Sequence, residues 1–307
     1  MDRTLRAHLA LFAVNLIYGV NYPIAKGLMP HVVGPSGFIL LRVLGAGALF
    51  WAFRAFRPER VLLADLPRLL LCAVFGVALN QLMFFHGLLR TSPMHASILM
   101  VATPILVLVL SGVLIGERID RGKLFGVLCG AGGALVLILG VGARNTGGAS
   151  MLGDLFILVN AISYGIYLVL VKPLMQRYSA VTVMAWSFLG GAVLVLPFGV
   201  GEVAAMRPEM IRPGQWGGLL FVVVMVTFVA YHLNTWALGV VNPSVVGIYI
   251  YLQPLLAIAA TTVSARWGPP LGWAPLPMPE WGIATLVGAL AIFIGVRLVA
   301  RADARAR

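Results

Sequence analysis

Arg42 lies about a third of the way along an apolar run that spans residues 35–55. A charge at that depth in a bilayer is costly unless it is paired or hydrated. The planar guanidinium fork matches a carboxylate. It can equally snorkel, or bond to loop carbonyls. Other polar side chains recur at helical spacing within apolar runs. Asn15, Tyr18, Tyr22 and Lys26 follow one another at steps of three, four and four, which places them on one helix stripe. Asn160, Ser163, Tyr164 and Tyr167 make a second stripe. Asn80, Gln81 and His86 share a third run. Tyr231, His232, Asn234 and Trp236 share another, and Tyr249, Tyr251 and Gln253 the next. Polar groups in lipid turn toward the bundle interior, either to line a cavity or to bond helix to helix. Aromatic faces beside amides suit a planar zwitterion, by stacking on its ring and hydrogen bonding its polar end. The two histidines fit structural roles better than catalytic ones.

Two prolines add a further element. Pro104 and Pro254 lie eleven residues past Pro93 and Pro243, or about 16 Å along a helix and near the bilayer middle. Each is expected to kink its helix and free the carbonyl four residues earlier. Those carbonyls belong to Met100 and Ile250. They can accept from an ammonium group or from a neighbouring helix.

The elements that position these residues must span a membrane. The chain has 307 residues, 61% hydrophobic and only 10% charged, with mean hydropathy +0.98. Such a chain cannot cover a soluble surface. Apolar runs at 5–27, 35–55, 66–89, 94–115, 122–142, 152–175, 181–200, 214–239, 244–267 and 280–300 predict ten transmembrane helices and an all-α integral membrane protein. The first run, with Asn15, Tyr18, Asn21 and Tyr22, is too polar for a signal core and reads as a retained helix. Cys72 and Cys129 lie within apolar runs and read as small packing residues. The net charge of +12 comes from residues between the runs, which points to topology signals and anionic lipid rather than nucleic acid. With the N-terminus cytoplasmic, fifteen of the 22 Lys and Arg fall inside and six outside, with Arg42 within a span. Both termini are therefore expected in the cytoplasm.

The chain also repeats itself. Tyr18-Gly19, Lys26 and Leu28-Met29 recur 146 residues later as Tyr164-Gly165, Lys172 and Leu174-Met175. Pro93 and Pro104 recur 150 residues later as Pro243 and Pro254. Residues 1–145 and 146–307 thus read as two five-helix halves. An odd number of spans per half inverts the second, the arrangement of many alternating-access transporters with a midplane site.

With Gly116-Glu117-Arg118 closing the fourth run and Gly126 and Gly130 following on the fifth, the chain resembles the drug/metabolite transporter superfamily in its EamA-type branch. The resemblance covers nearly the whole sequence. Within the superfamily it is most similar to YddG-type exporters of aromatic amino acids, through Asn15, Tyr18, Asn21, Tyr22 and Pro23 of the first run. It departs after the ninth run, where a Pro-rich insert, Gly268 to Pro279, and Glu280 replace the matching Gly-Glu turn. The resemblance implies export of small metabolites across the bacterial inner membrane.

The leading expectation is a secondary exporter of small amphipathic metabolites, aromatic amino acids first, with drugs or other metabolites as alternatives. A membrane-embedded enzyme acting on lipid is the alternative of another class. It needs acids or histidines clustered at one membrane face, and the sequence offers none. Motifs for nucleotide phosphate, metal or nucleophilic catalysis are absent, so no cofactor is expected. The expected partners are a small-molecule substrate and the lipid bilayer. All ten acidic residues fall in loops, tails or span ends, which favours a passive facilitator over a carrier that holds its coupling ion on an intramembrane carboxylate.

Overall fold

The computed structural model describes residues 2–29, 32–91, 96, 99–142, 150–267 and 282–306. Pro93, the 268–279 insert and Glu280 lie outside them. Of Tyr22 and Lys26 only the helical backbone is described.

The described residues are helical without strands. They group into α1 (Arg3–Leu28), α2 (Pro35–Phe56), α3 (Leu63–Arg90), α4 (Ala102–Ile115), α5 (Arg121–Gly142), α6 (Met151–Leu174), α7 (Ala180–Ala204), α8 (Pro213–Leu238), α9 (Pro243–Trp267, in three pieces) and α10 (Ile283–Ala306). Seven of these are long and apolar enough to cross a membrane: α2, α3, α6, α7, α8, α9 and α10. Among the described residues, length and composition alone thus support seven of the ten expected spans. The apolar surface that remains on Val113, Phe125, Val193, Leu220, Leu286 and Leu290 is the surface a bilayer covers.

Local chemistry sets the helix ends. Ser150 caps α6 by accepting from the Gly153 N–H at 3.1 Å, and Ser179 caps α7 through Thr182. Pro35, Pro213 and Pro243 open α2, α8 and α9, where a missing N–H does no harm. At Gly116 α4 ends with φ +66, a left-handed conformation that strains any side chain. The Glu117 N–H then reaches back to the Ser111 carbonyl at 3.1 Å. That turn aims Glu117 into the protein.

The helices pack in matched pairs. α2 lies against α7 and α5 against α10; α1 packs on α8 and α9, and α6 on α3 and α4. Glycines allow the α5–α10 approach. A Cβ on Gly126 would stand 2.9 Å from the Gly295 carbonyl oxygen, and one on Gly133 2.7 Å from that of Gly288. Gly130 instead seats the Tyr251 ring, and Gly132 meets nothing within 4 Å.

Two irregularities recur. Residues 73–78 of α3 and 222–229 of α8 form π-helical segments, closed by Leu79 N–H to Val74 and Ala230 N–H to Met225. π-turns are rare and concentrate at functional sites. α4 and α9 are interrupted just before Pro104 and Pro254, by a turn at Val101 and a tight 3-10 turn at Tyr249–Tyr251. The Tyr251 hydroxyl donates to the Val101 carbonyl at 3.1 Å, joining the two breaks.

Candidate functional site

Among the described side chains, the middle of the bundle holds one charge. Arg42 is 5% exposed on α2. Its Nε donates to the Thr227 hydroxyl at 3.0 Å, and its guanidinium lies 5.5 and 5.4 Å from the Phe38 and Phe85 ring centres. Phe38 lies one turn from Arg42 on the same helix, so α2 supplies both cation and platform. No carboxylate pairs with Arg42 among the described residues.

Tyrosines and amides surround it. Tyr18 of α1 and Tyr231 of α8 lie within electrostatic reach of Arg42, and Tyr164 and Tyr167 of α6 within reach of Tyr18. Tyr18, Tyr164 and Tyr231 pack on the core yet stay only half-buried. Asn234 donates to the Tyr164 hydroxyl at 3.1 Å. Tyr167 pairs with Thr235 at 2.9 Å. Gln81, 3% exposed, follows the π segment of α3 and lies beside the Tyr231 hydroxyl. Neither of its polar atoms makes a hydrogen bond of good geometry. Buried acceptors without a donor also occur on Asn21, Asn160 and His232. Each such group is costly unless a ligand or water meets it.

The structure therefore brings together Tyr18, Arg42, Gln81, Tyr164, Tyr231 and Asn234 of the sequence candidates. Others serve helix seams. Gln253 donates to Asn15 at 3.0 Å, and Asn15 to the Leu11 carbonyl at 2.7 Å. Tyr249 meets His8 at 3.0 Å. Asn80 and Asn160 bond each other's backbone carbonyls, at 3.4 and 2.7 Å. His86 sits between Ser36 at 2.8 Å and Arg90 at 3.2 Å near the end of α3. The Met100 sulfur accepts from Thr103 at 3.9 Å. His232 is half-buried beside Tyr231. Sequence reasoning missed Phe38, Phe85 and Thr227. Thr227 left a trace, as the one polar residue in the run Val222–Val229.

A second charged group closes one end of the bundle. Lys123, 0% exposed, donates to Glu117 at 2.7 Å and lies 3.5 Å from Asp303. Ser244 also donates to Glu117, and Asn242 to Asp303 at 2.6 Å. These residues tie α5 and the turn before it to α9, α10 and the turn before α9. Two cavities flank the bundle. One of about 570 Å³ adjoins this cluster and is lined by Glu117, Lys123, Lys172, Gln176 and Asn242. One of about 250 Å³ is lined by Val32, Met206, Met210 and Gln215. Neither is lined by the Arg42 group.

Comparisons place this arrangement among known proteins. A solved crystal structure is similar in fold, with TM-score 0.74 over 98% of both chains at 19% identity. The chain is 25% identical to the uncharacterized transporter YetK of Bacillus subtilis, covering 96% of this chain and 88% of that one. It is 28% identical to a probable terminal-alkyne amino-acid exporter of Streptantibioticus cattleyicolor, covering 87% and 84%. The model of the EamA-like transporter family matches residues 5–139 and again 151–301, and the chain belongs to that family.

Proposed function

We propose that this protein is a secondary exporter of small amphipathic metabolites that carry a carboxylate, aromatic amino acids first among them. The observation that carries the reading is Arg42: a buried cation beside two phenylalanine rings, with no carboxylate among the described residues to pair with. A substrate carboxylate supplies the missing charge and fits the guanidinium fork. Gln81 offers an amide acceptor for an ammonium group, and the tyrosines and phenylalanines offer faces for an apolar or aromatic body. The Streptantibioticus relative is described as exporting an amino acid, which agrees with such a substrate.

The transport cycle in this reading is alternating access between two inverted halves, 1–145 and 146–307, with ten spans in all. The paired packing of the helices, the π segments of α3 and α8 and the interruptions of α4 and α9 support it. So does the Tyr251–Val101 bond, which joins residues 150 apart, the offset of the proline repeat. Contact between equivalent positions is what a pseudo-twofold axis produces. In this reading the protein lies in a bacterial inner membrane with both termini in the cytoplasm, which the Lys/Arg bias supports, and the Glu117–Lys123–Asp303 cluster closes the cytoplasmic end.

The test is uptake into proteoliposomes of radiolabelled phenylalanine, tryptophan, leucine, 3-phenylpropionate and phenethylamine. Carboxylate-bearing compounds should enter by a saturable route and phenethylamine should not. Uptake of phenethylamine alone, or of none of the carboxylates, would reject the reading.

A further inference from the structure

We propose that Thr227 is a positioning residue of the substrate site: it aims the Arg42 guanidinium and ties it to the π segment of α8. The proposal rests on the reading of Arg42 as the carboxylate anchor. Thr227 is 0% exposed within an otherwise apolar stretch. Its hydroxyl accepts from Arg42 Nε at 3.0 Å and donates to the Val222 carbonyl at 2.8 Å. A hydroxyl has one proton and two lone pairs, so both bonds form together and fix its orientation.

Nε is the inner nitrogen of the fork. Holding it leaves the two terminal nitrogens as the donors that face a ligand, while the Phe38 and Phe85 rings limit the swing of the guanidinium plane. A buried threonine is held in few rotamers, which suits a fixed relay. Val222 opens the π segment, and the carbonyl that takes the Thr227 hydroxyl lies five residues back along the chain. The segment leads directly into Ala230 and Tyr231, so backbone register, Arg42 orientation and Tyr231 placement are set by one chain of contacts. The π segment of α3 is braced from outside instead, by Ser163 of α6, which donates to the Phe75 carbonyl at 2.7 Å. Only the α8 segment reaches the cation, so the two halves differ where the substrate binds.

The experiment uses Thr227→Val and Thr227→Ser in the full-length protein. Phenylalanine uptake is measured in proteoliposomes, and amide hydrogen exchange of residues 222–229 is measured without substrate. In T227V the KM should rise about tenfold, the worth of one hydrogen bond to a charged group, with maximal rate within about twofold. T227S should behave as the unchanged protein. Adding T227V to Arg42→Met should produce no further loss. An unchanged KM in T227V, an equal defect in T227S, or a fall in maximal rate alone would overturn the proposal. The exchange arm stands apart from substrate identity. T227V, which removes both Thr227 bonds, should speed exchange across 222–229; R42M, which leaves the Thr227–Val222 bond, should speed it by less, and the double variant should match T227V. Additive effects would overturn the link even if phenylalanine proves not to be a substrate.

Discussion

Arg42→Met separates a ligand anchor from a structural cation. A carboxylate held by both terminal nitrogens makes two charge-assisted hydrogen bonds. Their loss costs roughly 3 kcal/mol, or about 150-fold in affinity. Arg42→Lys keeps the charge but not the fork and should cost about tenfold. Stability should move the other way. R42M gives up one hydrogen bond to Thr227 and two ring contacts, each ring contact worth about 0.5–2 kcal/mol. It also removes a buried charge that no carboxylate among the described residues offsets, a penalty of several kcal/mol. Thr227 keeps its own bond to Val222, so no new orphan is created there. The net expectation is an unchanged or raised melting temperature together with lost binding. The assay pairs calorimetric titration of purified protein with thermal unfolding in the same detergent. A variant that unfolds several degrees earlier, or one that binds phenylalanine normally, would refute the reasoning.

Replacing Gln81 or Tyr231 by Ala should impair phenylalanine uptake by about tenfold with folding intact, since each removes a central polar contact worth about 1.5 kcal/mol; normal uptake by both would return these residues to packing roles. Lys123→Met takes the ammonium away from buried Glu117 and should destabilise by about 3–5 kcal/mol, read as a lowered melting temperature that Lys123→Arg partly restores. Glu59, in the loop after α2, is raised by partial burial but pulled further down by bonds from Thr182 and Ser179 and by Arg54, so its carboxyl titrates below the ordinary value. Its stabilisation is therefore complete above about pH 4.3 and is lost as pH falls through the depressed value; Glu59→Gln should remove that acid-linked loss from the melting curve. With phenylalanine equal on both sides of a liposome, an imposed proton or sodium gradient should drive no accumulation; concentrative uptake under either gradient would end the facilitator reading.

How much of this was legible beforehand depended on what kind of signal each feature left. Composition and long apolar runs pointed to helices in a membrane because backbone groups in lipid have few other solutions. Arg42 stood out because a charge amid apolar residues is costly wherever the chain goes. The interruptions before Pro104 and Pro254 followed from proline chemistry. Helical spacing could not separate cavity residues from seam residues: Tyr18 and Asn15 share a stripe, yet one faces the centre and the other bonds Gln253. The π segments left no residue signature, since they consist of ordinary apolar residues whose hydrogen bonds shift by one position. The buried Glu117–Lys123–Asp303 group was hidden for a related reason. Each residue lies at the end of an apolar run, where charges are usually solvated, and only the Gly116 turn and the approach of α10 bury them.

That hidden group bears on how transport is driven. It contains two carboxylates and one ammonium, but it lies at one end of the bundle, beside a cavity on that same end. Ions or protons reaching it come from one side. A carrier that harvests a gradient needs a site that exchanges with both sides in turn, and the centre is where alternating access provides one. There the described residues supply a cation, phenols and amides, with no carboxylate. On the proposed reading, the charge cluster holds the two halves together at one face, and Arg42 selects an anionic group on the substrate. In that reading a substrate carboxylate offsets part of the desolvation penalty of Arg42 while the halves rock around it. The gradient of the substrate itself is then sufficient to set the direction of transport.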